Sequence, residues 1–353
     1  MAFTISNKYF YSIILFLLFL IVVYIGNSFK RNYLETNDEY KLIQTYLLND
    51  SPLYGFDKPK LWIHTKYEIN SRQWKSFQSR SSTDLNQPFI HLTIKTIVSH
   101  CAKDFNICLI DDETFEKLLP NWDVNLAQVA EPNRSRIRQL GLLKLVYYYG
   151  GLVVPNSFIC SRNLKGLYEE GTMENKPFVC ENINRTANLV MDKRHRAFLP
   201  DLYFFGAKKN NETIKEIIEF VKSENREPHF SAEVEFLGDF SFMVLSMCQE
   251  QKINLIDGSK VGVKTIGQKS IGVEELMGDG FLDLEPNYYG IYIPDEEILG
   301  RTYYSWFAVL SKDELMLNTN ITAMKYIIAS LVDTTDEYKE TKEKREIRSV
   351  VAI

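Results

Sequence analysis

The sequence predicts a mixed α/β body, a mostly parallel doubly wound sheet, preceded by a single apolar helix long enough to span a membrane. Three observations carry this expectation. From Leu61 to Lys222, short strand-like apolar runs alternate with helical patterns of greater length. One strongly apolar helix pattern ends at Gly150-Gly151 and is followed at once by the strand-like Leu152-Val153-Val154. Residues 9–29 contain no charged side chain.

The apolar run is centred on Ile13–Val23 and as a helix would be roughly 30 Å long, the thickness of a bilayer's hydrocarbon core. It exceeds the apolar region of a secretory signal, and Tyr24–Ser28 makes a poor cleavage site. Tyr9, Tyr11 and Tyr24 stand where an interfacial aromatic belt would lie. The expected organisation is a short tail (1–8), an anchor (9–29), a polar juxtamembrane linker (30–57), a body (58–332) and a mixed-charge tail (333–353). Within the linker, Glu39–Leu48 reads as a short helix and Ser51-Pro52 as a turn. Lys8 on one flank and Lys30, Arg31 and Lys41 on the other lean only slightly toward a cytosolic body. N-x-S/T sequons at Asn49, Asn133, Asn184, Asn211 and Asn320 do not settle the side in so Asn-rich a chain.

In the body, Leu61–His64 is the first strand and Phe89–His100 a helix. Asn106–Ile110 is the second strand, ending in Asp111-Asp112, with a helix at Glu113–Leu118. The next helix starts near Asn133 or Ser135, either a good N-cap, and runs to Tyr149. Leu140, Leu142, Leu143, Leu145 and Val146 make it apolar on most faces, so it should be buried, with Tyr147–Tyr149 packing on the sheet. Strands follow at 152–154, 177–180 and 203–207, then a helix over 212–222. Beyond Gly258 the pattern is irregular. In a doubly wound sheet, ligands bind past the carboxyl ends of the strands.

A net charge of −5 at 25% charged and 45% hydrophobic residues gives no broad cationic surface, so nucleic acid is not an expected partner. The five cysteines, Cys101, Cys108, Cys160, Cys180 and Cys248, form no CxxC pair or metal-ligand spacing and read as buried free thiols.

Lys58–Leu164 resembles the DXD-type GT-A glycosyltransferases, the family of capsular polysaccharide synthesis proteins and yeast-type mannosyltransferases. The resemblance lies in KPKLWIH (58–64) as first strand, CLIDDETFEKLLP (108–120) as second strand and acidic turn, and LLKLVYYYGGLVVPNSF (142–158) as helix, double glycine and metal-binding strand. PDLYFFGAKKNNETIKEIIEFV (200–221) is similar to the family's acceptor-side strand and helix, and YYSWF (303–307) to its closing His/Trp motif. The resemblance implies a GT-A fold, a nucleotide-sugar donor or glycan as ligand, and hexosyl transfer. In that chemistry two aspartates at one strand end hold a divalent metal against the departing diphosphate. The general look of the chain also resembles membrane-anchored proteins of large DNA viruses, which implies an endomembrane or virion-membrane location for a single-pass protein.

The chain departs from the family pattern at the donor site. Counted from Gly150-Gly151, the two aspartate positions fall on Pro155 and Ser157, giving Pro155-Asn156-Ser157. The family's upstream acid falls on Gln139 and its arginine on Leu142. Proline and serine cannot hold Mg²⁺ or Mn²⁺ as paired carboxylates do, so no metal cofactor is expected. Arg134, Arg136 and Arg138, joined by Arg162 and Lys165, are candidates to hold a diphosphate without metal; the alternative is a solvated basic first turn. Asp111 and Asp112 are either a surviving acidic pair or a helix-capping turn, and His64 either a base or a structural histidine. Asn182 and Asn184 are candidates to hydrogen-bond a sugar. Asp279 and Asp283 match no motif. Three functions remain open: a non-catalytic membrane-anchored binding or structural protein of this fold, an active metal-independent transferase, and an unrelated doubly wound membrane protein.

Overall fold

A computed structural model describes residues 58–65, 87–131, 133–184, 196–226, 233–304, 306–307, 310–318 and 320–332. These residues belong to one compact unit, Gly55–Ile353. The anchor (9–29), the linker with its short helix and turn (30–57) and the charged tail (333–353) lie outside the described residues. Among the described residues, no helix is long and apolar enough to cross a membrane.

The chain is mixed α/β around a mostly parallel central sheet. Among the described residues, six strands form it in the order β2-β1-β3-β6-β5-β7. They are β1 (Lys60–His64), β2 (Asn106–Ile110), β3 (Gly151–Val153), β5 (Phe178–Ile183), β6 (Phe198–Ala207) and β7 (Asn254–Ile256). β1 runs parallel to β2 and β3, and β5 parallel to β7, while β6 runs against both its neighbours. Five strands therefore end on one edge, where β6 begins. A two-stranded antiparallel sheet joins β4 (Phe158–Cys160) to β8 (Gly290–Tyr292).

The helices are α1 (Phe89–Cys101), α2 (Thr114–Leu118), α3 (Asn133–Tyr149), α4 (Lys165–Gly171), α5 (Glu212–Arg226), α6 (Glu233–Gln249), α7 (Val273–Met277), α8 (Asp295–Gly300), α9 (Lys312–Asn318) and α10 (Thr322–Leu331). Alternation along the strands sends side chains to two faces. Trp62, Cys108, Val153, Phe205 and Val179 share one face and pack with Leu143 and Val146 of α3, Ile217 and Val221 of α5, and Phe240 and Val244 of α6. Leu61 and Ile63 point the other way and are also fully buried. Burial on both faces is the property that lets a parallel arrangement persist.

The turn from α3 into β3 depends on its two glycines. Gly150 and Gly151 have φ of 72° and 110°, and a Cβ on Gly151 would meet the Lys60 carbonyl oxygen at 2.2 Å. The freed Gly150 carbonyl accepts the Trp62 indole N–H at 3.0 Å, tying the turn to β1. At the other end of α3 the cap differs from the expected Asn133 or Ser135. The Glu131 carboxylate accepts the Ser135 N–H at 3.1 Å and its hydroxyl at 2.7 Å. Leu143, Leu145 and Val146 are buried, whereas Leu140, Leu142 and Tyr147–Tyr149 are half-buried against the same core. The first turn of α3 is not uniformly solvated: Arg136 and Arg138 are 4% and 5% exposed. Asn211 caps α5 through the Ile214 N–H and is itself buried, so its sequon cannot carry a glycan in this fold.

Candidate functional site

The carboxyl edge of the sheet gathers the polar residues. In register, Cys108, Trp62, Val153, Phe205, Val179 and Leu255 form one row across the strands. Beyond it project His64 from β1, Asp111-Asp112 after β2, Pro155–Ser157 after β3, Asn182 from β5 and Asn184 just after it, and Asp257 after β7. At about 4.8 Å per strand, Asn182 lies roughly 14 Å sideways from His64, so one edge holds two separate polar groups.

The first group centres on Asp112. Arg138 grips it with two parallel hydrogen bonds, Nε to Oδ1 at 2.8 Å and an η-nitrogen to Oδ2 at 2.7 Å. The His64 Nε2 is 3.0 Å from Oδ1. Burial alone would raise the Asp112 pKa, but the bonds from His64 and Arg138 outweigh it and hold the carboxyl well below the usual carboxylate range. An ionised carboxylate only accepts, so His64 Nε2 is the donor. The His64 ring stacks on Phe115 at 5.6 Å. Arg138 also donates to Glu131 at 3.2 Å. A single guanidinium thus serves two carboxylates.

The two neighbouring acids divide their work. Asp111 Oδ1 accepts the Thr114 N–H at 2.9 Å and its hydroxyl at 2.6 Å, which caps α2, while Asp112 faces Arg138 and His64. The other arginines stand elsewhere. Arg134 donates to the Val129 carbonyl at 2.7 Å. Arg162 reaches Asn287 at 3.4 Å and lies over the Tyr289 ring. Its neighbours Asn163 and Lys165 bond Asp104, just before β2 begins, so Arg162 sits toward the amino ends of the strands, away from His64 and Asp112.

Pro155-Asn156-Ser157 is held by its surroundings. Ser157 is 1% exposed and donates its hydroxyl to the Ile293 carbonyl at 2.7 Å, with the Asp295 carboxylate at 3.3 Å. The Ile293 N–H returns a bond to the Ser157 carbonyl, and Thr93 of α1 donates to the Asn156 carbonyl at 2.6 Å. Pro155 offers no side-chain ligand, and the Ser157 oxygen already serves the backbone. These residues do not fit Mg²⁺ or Mn²⁺, which need several oxygens free to converge on the ion. On α3, Leu142 packs into the core and the Gln139 side-chain carbonyl has no hydrogen-bond partner among the described residues. The segment 303–307 reaches this edge too, as Phe307 packs on Phe89 at the start of α1 with ring centres 4.7 Å apart.

The second group, at the ends of β5 and β7, holds Asn182 and Asn184, which the sequence offers as sugar-bonding candidates, together with a Lys264 cluster that no local pattern signals. Lys264 is buried and bonds Glu181 at 2.6 Å and Asp257 at 2.9 Å. Burial depresses its pKa, but Asp257 and Glu181 outweigh that and raise it. Glu181 lies 83 positions from Lys264, too far for any local pattern to pair them. Asn182 donates to Asp201 at 3.2 Å and Asn184 to the Arg196 carbonyl at 2.8 Å. Asp295 was likewise not singled out; it opens α8 behind Pro294 and only the fold brings it to Ser157.

No family model matches the sequence, and no curated protein matches it. Among solved structures, the chain is similar to the apo-form glycosyltransferase GlyE of Streptococcus pneumoniae TIGR4, at 11% identity and a TM-score of 0.33 over 57% of this chain and 46% of that one. The chain thus spans less than half the length of that structure. It is also similar to the PaToxG glycosyltransferase, at 14% identity and a TM-score of 0.31 over 62% of this chain and 80% of that one.

Proposed function

We propose that this chain is a membrane-anchored, glycosyltransferase-like protein whose donor edge has been rebuilt as a fixed polar network, and that it acts as a binding or structural component. The observation behind this reading is Ser157. The hydroxyl at the second aspartate position is buried and bonded to the Ile293 carbonyl, so it is a packing element rather than a ligand. Arg138, the guanidinium best placed to take over from a metal, is engaged by Asp112 and Glu131. Freeing it for a diphosphate would leave the ionised Asp112 without its principal partner, at a cost of about 2–3 kcal/mol. A hydrophobic run at 9–29 supports the anchor.

A second reading, an active metal-independent transferase, is favoured by one feature. Asp295 places a part-exposed carboxylate 3.3 Å from the Ser157 hydroxyl, at the end of the strand where the family resemblance puts its acids. Thermal melts of the purified protein with a panel of nucleotide-sugars, with and without Mn²⁺, separate the two. Unchanged melting across the panel is expected. Saturable stabilisation by one donor, accompanied by slow release of its nucleoside diphosphate, would establish the enzymatic reading instead.

A further inference from the structure

Cys101 closes α1 and Cys160 closes β4, and their sulfurs lie 3.8 Å apart in a site where neither residue has any exposed surface. A disulfide bond is about 2.05 Å long, so the sulfurs must approach by about 1.7 Å. The backbone of Cys160 is held by hydrogen bonds. The Cys160 N–H donates to the Thr96 hydroxyl at 2.9 Å, and the Cys160 carbonyl accepts from the Ser330 hydroxyl. Ser330 is in turn bonded to the His100 ring at 3.1 Å. Thr93, one turn before Thr96, holds the Asn156 carbonyl. α1 is therefore laced to residues 156–160 at three successive levels, and the two thiols form the last of them. Cys108, Cys180 and Cys248 have no sulfur partner among the described residues.

We propose that Cys101 and Cys160 are a disulfide-forming pair, which locks α1 to the strand that follows Pro155-Asn156-Ser157. The inference is independent of the reading of the donor edge. The hydrogen bond from Cys160 lowers the Cys101 pKa against the opposing effect of burial, whereas burial first and Cys101 second raise that of Cys160. Cys101 is then the attacking thiolate. With oxidised glutathione as oxidant, Cys101 displaces one glutathione thiolate and forms a mixed disulfide. Cys160, losing its proton to that thiolate, attacks the Cys101 sulfur and releases the second glutathione. Two cysteine thiols are oxidised and one disulfide is reduced to two thiols. Access begins at the exposed Ala102 and Lys103, where the end of α1 can open.

The test treats the full-length protein with oxidised glutathione, once folded and once while refolding from denaturant. Remaining thiols are alkylated in denaturant and the peptides mapped by mass spectrometry. A Cys101–Cys160 link in either arm is expected, with Cys108, Cys180 and Cys248 alkylated. The melting temperature of the linked form should exceed that of the reduced form by on the order of 5–10 °C, because the bond closes a long loop. Cys160→Ser should abolish both the link and the shift. Alkylation of Cys101 and Cys160 in both arms, or a link from either to another cysteine, would overturn the proposal.

Discussion

Replacing Asp112 by Asn probes the candidate site without altering its shape. Arg138 is 5% exposed and donates two of its bonds to the Asp112 carboxylate, so the substitution leaves a buried guanidinium facing a neutral amide. Breaking a fully buried pair costs roughly 3–5 kcal/mol. Here the Asp112 side chain is 26% exposed and Glu131 still accepts from Arg138 at 3.2 Å, so about 2–3 kcal/mol is expected. Urea denaturation of wild type, Asp112→Asn, Arg138→Met and the double variant would measure it, with a coupling of about 1–2 kcal/mol between the two sites. The pH dependence has a definite sign. The folded pKa of Asp112 is depressed, so its contribution is complete above the unfolded value near 4 and is lost as pH falls below that. Wild type and Asp112→Asn should therefore converge in stability under acid conditions. A cost below about 0.5 kcal/mol with no coupling would refute the claim that Asp112 and Arg138 form a fixed pair.

Other expectations follow from single contacts. Gly151→Ala would drive a methyl group into the Lys60 carbonyl at a positive φ, and should cost about 3 kcal/mol or more or prevent folding, read as lost soluble yield and a lower melting temperature. Ser157→Asp, which puts an acid where the family resemblance places its second aspartate, should destabilise by about 2–4 kcal/mol because a carboxylate would be buried against the Ile293 carbonyl and Asp295. Calorimetry should detect no Mn²⁺ binding by that variant. Lys264→Met should cost about 2–3 kcal/mol by leaving Glu181 and Asp257 facing each other. The raised pKa of Lys264 adds that its contribution, complete below about pH 10, is lost as pH rises above the folded value. A Lys264→Met variant that melts like wild type at neutral pH would remove that cluster from the account.

Much of the fold was legible because local pattern and burial agree in the first half of the chain. Leu61–His64, Asn106–Ile110 and the α3–Gly-Gly–β3 unit lie close to where periodicity and capping put them. The sequence marks a short strand at 203–207, whereas β6 extends back to Phe198, because Pro200 and Asp201 look like a turn until β5 pairs with them. Its reversed direction is a property of topology that no local pattern carries. In the site, the positions of Pro155 and Ser157 could be counted from the glycines, but their partners could not. Ile293 and Asp295 lie 136 and 138 residues from Ser157. The acidic pair after β2 looked like one unit, yet Asp111 and Asp112 serve different neighbours because the chain turns between them into α2. The sequence offers Arg138 as a diphosphate contact or as part of a solvated first turn, but not its burial beside Glu131 and Asp112.

We propose that the strand end after Gly150-Gly151 does not assemble a metal-dependent donor site. Calorimetric titration of the wild-type protein with UDP and with GDP, each with and without saturating Mn²⁺, tests it most directly. No Mn²⁺-dependent binding of either nucleotide is expected. Saturable binding that requires Mn²⁺ and disappears in Asp295→Asn would contradict it, and would show that the site has recruited a carboxylate from elsewhere in the chain.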